Sequence, residues 1–529
     1  MIVVSMWKQN YIFIRKIFSF FVISAILLSC SGKKSKVPRD QILAQVGDRY
    51  ITADEFRTSF EFSLAPLRQS ADPKRTYLEY MIKELLMANQ GYALGLHKKK
   101  YVTSRLEQRR YDDLLEAFYT KHVHGKVNLS DEEIEDALLK STVTWSMLIW
   151  PTPTLEEAKK AYLEAVKTNL DDYIDRQIAS RETPIMDKRM FYSGWVDFLD
   201  LPPYALEKIV NVEMGVPTEP FPYGDGYAIA QVLDIHRKGI STEELKHGSR
   251  REKIKRRLFN IKADSIVHAV MDSMLTPLDI RVRGLVVEDL SMPLYQWFQH
   301  GLPDKRSLFD LLDQPSDSSR PYLQSINSML DETLVASRFK NYKVKDFLSY
   351  ADYFRKNLHE SQSAEDFHRR LITEIGRMVK NDIFINQAVK EGFEDSLRIS
   401  EDLRQWEQKW TYELYRNKLV LDVKVSGEEV KQFFQTRWRE LGIADVDTTR
   451  FYKYKNDVFN AVLHEKQQAR IDQDVQELRR KYAVWINEDL LRSISVVDSL
   501  PGQQTTYFLR KNFNFKAYSP TVDIKWLGF

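Results

Sequence analysis

Two stretches of this 529-residue chain match at a constant separation. Asn89-Gln90-Gly91 followed by Gly95 returns 297 residues later as Asn386-Gln387-Ala388 followed by Gly392. Val102-Thr103 and Leu106 return as Ile399-Ser400 and Leu403 at the same separation. Val127-Asn128-Leu129-Ser130 with Glu132-Glu133 returns as Val423-Lys424-Val425-Ser426 with Glu428-Glu429 at 296, one deletion away. Upstream, Leu43 to Phe56 is echoed loosely by Leu334 to Phe347. A separation held through three motifs marks an internal duplication, so one frame is used twice. The length agrees, since it exceeds what one core can serve and calls for two to four domains.

Local rules say what the frame is. Ile42 to Phe56 predicts a strand, a Gly47-Asp48 turn, a second strand, and a helix capped by Thr52 with Glu55 three residues on. Apolar residues at helical spacing predict a helix over Tyr77 to Leu96, closed by Gly95. Another helix follows over Val102 to His122, and Ser130 caps one running to Lys140. Thr242 to Leu275 reads as a charged return helix, with Ile280-Arg281-Val282 as a short returning strand. In the second half the equivalent capped helix runs into Arg437-Glu440, and Leu463 to Leu491 reads as the second return helix. Residues 286–330 include Pro303-Asp304 and a polar string from Gln314 to Pro321. They read as a linker with one short helix near Lys305 to Leu312.

The halves differ between the capped helix and the return helix. Only the first half carries an insert, residues 141–238. It opens with an apolar strand candidate, Val143 to Ile149, then a helix from Thr154 to Leu170. Met190 to Asp234 follows with Ser193-Gly194-Trp195, a short helix entered through Pro202-Pro203, a Gly215 turn and a hairpin arm. In that arm Ala228, Ala230 and Val232 alternate with Ile229, Gln231 and Leu233, so both faces are partly apolar. The expected fold class is therefore α+β and multidomain: helical modules around one small antiparallel sheet flanked by helices.

The frame resembles the N-terminal chaperone region of SurA/PrsA-type exported folding factors. The resemblance rests on Ile51-Thr52-x-x-Glu55-Phe56, the helix ending Asn89 to Leu96, and Val127 to Ile134. The insert resembles a parvulin (PpiC-type) peptidyl-prolyl isomerase domain through Ser193-Gly194-Trp195, Pro203-Tyr204-Ala205, Gly215 to Pro220 and Gly226 to Ile229. The activity this implies is prolyl cis–trans isomerisation, which needs no covalent chemistry because the barrier is amide resonance. The family's groove floor holds two histidines and a neighbouring Asp or Cys. Here Ser146 stands at the first histidine, Ala228 at the second, and Tyr192 at the acidic position. All three polar positions are replaced, so whether the chain is an enzyme stays open. Met147, Tyr204, Leu206 and Tyr227 are the residues that could still shape an apolar peptide groove.

The first 29 residues read as a leader, with Lys8, Arg15 and Lys16 ahead of the apolar run Ile17 to Leu28. Leu27-Leu28-Ser29-Cys30 resembles a bacterial lipobox, which implies cleavage before Cys30 and acyl chains on it. Cys30 is the single cysteine, so an internal disulfide is excluded. Removing the leader leaves 75 basic against 75 acidic residues, which argues against a nucleic-acid partner. The basic run Arg250 to Arg257 fits a solvated helix face, because Ile254, Leu258, Ile261 and Ile266 recur through it. Neither metal nor nucleotide chemistry is indicated: the ten histidines are scattered, and His122 and His124 make only a short pair. No cofactor is expected.

The sequence thus divides into a leader at 1–29, an acylated tether at 30–40, a first helical region at 41–140, the insert at 141–238 and a return at 239–285. The linker at 286–330, a second helical region at 331–445 and a second return with the C-terminal segment at 446–529 complete it. The expected function is an envelope chaperone, lipid-anchored at Cys30. It would sit on the outer membrane facing the periplasm and bind unfolded exported polypeptides. An active isomerase with an atypical site and a structural lipoprotein subunit are the alternatives. Oligomeric state is not legible.

Overall fold

A computed structural model describes residues 37–180, 187–224, 226–241, 243, 248–300, 312, 320–351, 355–441, 451–497 and 519–527. The leader, Cys30 and the tether up to residue 36 lie outside these residues, as does all but Leu312 of the short helix expected near Lys305 to Leu312.

β1 (Ile42–Val46) and β2 (Arg49–Thr52) form a hairpin whose turn holds Gly47 at φ +58°. A left-handed residue here suits glycine, which has no Cβ to clash. α1 (Ala53–Glu61) starts in a complete capping box: Glu55 N–H donates to Thr52, and the Glu55 carboxylate accepts from Thr52 N–H. Such a cap stabilises by about 1 kcal/mol. α1 then buries Phe56 and Phe60 against Tyr77, the Phe60 and Tyr77 rings meeting edge to face at 5.3 Å. α2 (Pro73–Ala93) begins at an Asp72 cap with Pro73 in its first turn and ends before Gly95, which sits at φ +70°. α3 (Lys100–His122) and α4 (Asp131–Lys140) complete the first frame, α4 entering through a Ser130/Glu133 capping box.

The insert comprises β3 (Val143–Thr152), α5 (Leu155–Ala165), α6 (Leu170–Ala179), β4 (Tyr192–Val196), α7 (Pro203–Val210), β5 (Phe221–Tyr223) and β6 (Gly226–Arg237). The single helix expected from Thr154 to Leu170 stops at Ala165. Asn169 starts a new helix there by accepting from Asp172 N–H, and the Gln231 side chain takes the Leu170 N–H.

α8 (Ser249–Leu275) is the first return helix, followed by β7 (Arg281–Val282). The segment read as a linker instead holds α9 (Gly284–His300) and α10 (Pro321–Met329). Val287, Leu290, Leu294 and Trp297 repeat at three and four residues and are buried, so α9 is a core helix despite Pro293 in its interior. The second frame is β8 (Thr333–Ala336), β9 (Tyr342–Lys343), α11 (Val344–Ala351), α12 (Arg355–His359), α13 (Ala364–Lys390), α14 (Leu397–Val420) and α15 (Gly427–Arg437). Gly392 repeats the conformation of Gly95 at φ +78°, and Ser426 with Glu429 repeats the capping box of Ser130 with Glu133.

The second return helix is α16 (Phe451–Lys481), which ends earlier than the expected Leu491. β10 (Val484–Ile486) and α17 (Glu488–Ser493) follow it. Val484, Trp485 and Ile486 are β-branched or aromatic, and a partner strand outweighs helical continuation there. In both frames the capping glutamate also takes a lysine of its own return helix: Lys262–Glu133 at 2.7 Å and Lys466–Glu429 at 2.6 Å.

The return strands do not rejoin their own hairpins. β10 pairs with β1, Ala44 opposite Ile486, giving a sheet in the order β10-β1-β2. β7 pairs with β8, Val282 opposite Val335, giving β7-β8-β9. The chain accordingly divides into two compact units, residues 1–118 with 381–529, and residues 119–380. Each joins the hairpin of one repeat to the return helix and strand of the other. This differs from the consecutive modules read from the sequence, because a two-residue strand carries no local signal for which hairpin accepts it. In the first unit α2 crosses α14 closely. A Cβ on Gly91 would lie 2.7 Å from the Thr411 methyl and 3.1 Å from its carbonyl oxygen.

Candidate functional site

The insert is built on a four-stranded antiparallel sheet, β4-β3-β6-β5. Val143 pairs with Arg237 and Thr152 with Tyr227, so β3 and β6 run together over their whole length. Both faces are covered. Trp145, Met147, Ala228, Ala230 and Val232 face α7, where Ala205 and Ile209 join them with Phe221. Leu148, Trp150 and Ile229 face α5 and α6, packing on Ala161, Leu170, Ile174 and Phe191. The alternation read from β6 is the cause, since both phases of the strand are apolar.

The expected site residues do not converge. Ser146 lies between Trp145 and Met147, so it points away from the α7 face on which Ala228 is fully buried. Ser146 is half-buried and sits opposite Trp195 and Asp234. Tyr192 is opposite Leu148, on the Ser146 side, and exposed. A one-residue step in a strand changes the face. The β3 residues that share a face with Ala228 include Trp145 and Met147.

The expected groove divides likewise. Met147 is 0% exposed inside the α7 cluster, and Leu206 packs against that cluster. Tyr204 stands exposed on α7, and Tyr227 alternates with Ala228 toward the other face.

The polar side chains buried in this sheet serve its backbone. Thr218 accepts from Ala230 N–H at 3.0 Å, and Gln231 accepts from Leu170 N–H at 2.7 Å. Ser193 accepts from Met147 N–H at 3.1 Å. These bonds fix strand register and loop attachment. Met147 and Ala228 are both fully buried and carry neither a proton donor nor a base.

Outside the sheet the insert is rich in exposed apolar groups. Met190 is 71% exposed and Met214 58%, and Tyr192, Trp195, Tyr204 and Tyr223 are each more than two-fifths exposed. Trp195 stacks on His236 at 4.1 Å, almost parallel.

The first unit contains a separate cavity of about 560 Å³ lined by Thr52, Asp54, Glu55, Asp113, Arg398, Glu401 and Asp402. Two of these acids, Glu55 and Asp402, belong to ion pairs that join helices. Arg404 donates to Glu55 at 2.6 Å, and Arg109 donates to both oxygens of Asp402 at 2.6 and 2.7 Å. The Tyr50 hydroxyl donates to Glu401, and burial followed by that carboxylate pushes its pKa up to about 12. Among the described residues no group of three His, Cys, Asp or Glu could hold a metal ion. No described helix is long and apolar enough to cross a membrane.

No family model matches the chain, and no curated protein does. Solved structures similar to parts of it include one from Campylobacter jejuni, where the virulence factor PEB4 and a periplasmic protein are described as structurally related SurA-like chaperones. That chain is 16% identical, with 46% of this chain and 100% of that one covered, at a TM-score of 0.22. A Bacillus cereus structure described as the peptidylprolyl isomerase PrsA is 15% identical, covering 44% of this chain and 90% of its own, at 0.23. A Bacillus anthracis PrsA is 11% identical, covering 37% and 96%, at 0.21.

Proposed function

We propose that this chain is an exported, lipid-anchored chaperone of the SurA/PrsA kind. It would hold unfolded envelope or outer-membrane polypeptides through an insert that binds peptide without isomerising it. The observation that carries the reading is the chemistry of the insert. At the three positions where the resembled family carries polar groups, Ala228 is buried among apolar side chains, Ser146 is a half-buried hydroxyl on the other face and Tyr192 is exposed, while Met190 to Tyr223 exposes a run of apolar groups. The resemblance of the frame's sequence motifs to SurA/PrsA-type factors supports the reading. Acylation at Cys30 would keep the chain on the outer membrane, facing the periplasm.

The test is binding of a fluorescently labelled, permanently unfolded protein to the chain and to a Trp195→Asp/Tyr204→Asp variant. We expect the variant to bind at least tenfold more weakly with an unchanged melting curve. Equal affinity would remove the insert from the reading. A protease-coupled proline-peptide assay on the same preparation should stay at the uncatalysed rate.

A further inference from the structure

The C-terminal segment Ser519 to Leu527 is seated in a groove of the first unit between α1, α2 and α14. The Trp526 indole is 8% exposed. It lies nearly parallel to Tyr80 and Tyr412, with ring centres at 6.3 and 6.4 Å, and Lys83 Nζ stands 5.1 Å from the ring centre. Beneath it Glu84 Oε1 accepts three donors: Trp526 Nε1 at 3.1 Å, Asp523 N–H at 2.7 Å and Lys409 Nζ at 2.9 Å. Burial pushes the Glu84 carboxyl up, and Lys409 pulls against it. One residue earlier Val522 N–H donates to the Tyr77 hydroxyl at 3.2 Å.

These contacts are those of a bound peptide. The amides of Val522 and Asp523 are met by side chains of the groove, not by a strand ladder. Val522 and Trp526 point inward, while Ile524 between them is 48% exposed. A pocket of about 40 Å³, partly open to solvent, lies beside Pro520 to Val522, lined by Ser59, Met81, Leu85, Ala88 and Gln408.

We propose that this groove is a binding site for extended, tryptophan-bearing polypeptide, with the chain's own Ser519–Leu527 segment as its resident ligand. Tyr80 and Tyr412 form the aromatic slot, Glu84 accepts the indole N–H and one backbone N–H, and Tyr77 accepts a second. The inference rests on the reading of the chain as a polypeptide binder and gives that reading a second, independent surface.

The test uses the full chain and a fluorescein-labelled peptide of residues 519–529. A tail tethered at an effective concentration of about 1 mM weakens an external ligand of about 10 µM affinity roughly 100-fold. The Trp526→Ala chain should therefore bind the peptide tens of times more tightly than wild type. Adding Glu84→Gln, or replacing the peptide's tryptophan by alanine, should remove most of that binding. A folded Trp526→Ala chain that ignores the peptide overturns the proposal. Hydrogen exchange on the wild-type chain tests it without mutation. The Val522 and Asp523 amides should exchange well before those of the α2 and α14 cores, and exchange only with global unfolding overturns it. Peptide binding without protection of denatured clients would sink the chaperone reading alone. Protection that the peptide does not compete would sink this site alone.

Discussion

Replacing Asp402 by alanine should unfold the first unit at markedly lower denaturant. Arg109 belongs to the first repeat and Asp402 to the second, and they form a two-pronged ion pair between α3 and α14. The Arg109 side chain is 3% exposed and Asp402 18%. Truncating one partner of a buried pair typically costs about 3–5 kcal/mol, because the remaining charge stays out of water. The residual exposure of Asp402 places the expected cost near 3 kcal/mol. With an m value of about 3 kcal/mol/M, the urea midpoint falls by about 1 M. Circular dichroism and tryptophan fluorescence should be followed in parallel, since a chain of two units can melt in two steps. The double variant Arg109→Met/Asp402→Leu should recover most of the loss, as apolar isosteres of buried pairs usually do. A shift below about 0.2 M for Asp402→Ala would be the signature of a surface pair. It would refute the packing of the first repeat's helix against the second's.

Residues 143–237 should be removable in favour of a short Gly-Ser link, because Val143 and Arg237 are strand partners and the second frame has no insert; gel filtration and a cooperative melt check this. Gly226→Ala should disrupt the end of the sheet, since its Cβ would lie 2.3 Å from the Thr152 carbonyl oxygen, and amide exchange in β3 and β6 reports it. Glu429 is held at about 2 by Lys466 and then by the Ser426 backbone. A depressed carboxyl stabilises above its unfolded pKa and loses that contribution as pH falls through the folded one. The melting-temperature difference between wild type and Lys466→Ala should therefore shrink as pH drops from about 4.5 to about 2.

The parts of the fold that local chemistry writes were readable. The capping boxes at Thr52, Ser130 and Ser426 and the left-handed glycines at positions 95 and 392 appear where the residues predict. α9 falls in the stretch that Pro303-Asp304 and the polar string from Gln314 to Pro321 mark as a linker, although Val287, Leu290, Leu294 and Trp297 carry its period. The exchange of β7 and β10 between hairpins had no local signal, because pairing partners are a tertiary choice. At the candidate site the faces were not legible: Ser146 and Ala228 lie on opposite faces of the sheet, which only the strand register shows. The C-terminal groove was invisible for a different reason. Tyr80, Glu84, Tyr412 and Trp526 are far apart in the chain, and only packing brings them together.

Light scattering from a denatured outer-membrane or secreted protein, diluted into buffer with the chain at equal molar amount, tests the functional account most directly. The account predicts that scattering is suppressed in proportion to chain added, with no nucleotide or metal supplied. Scattering unchanged at stoichiometric and at severalfold excess chain would contradict it.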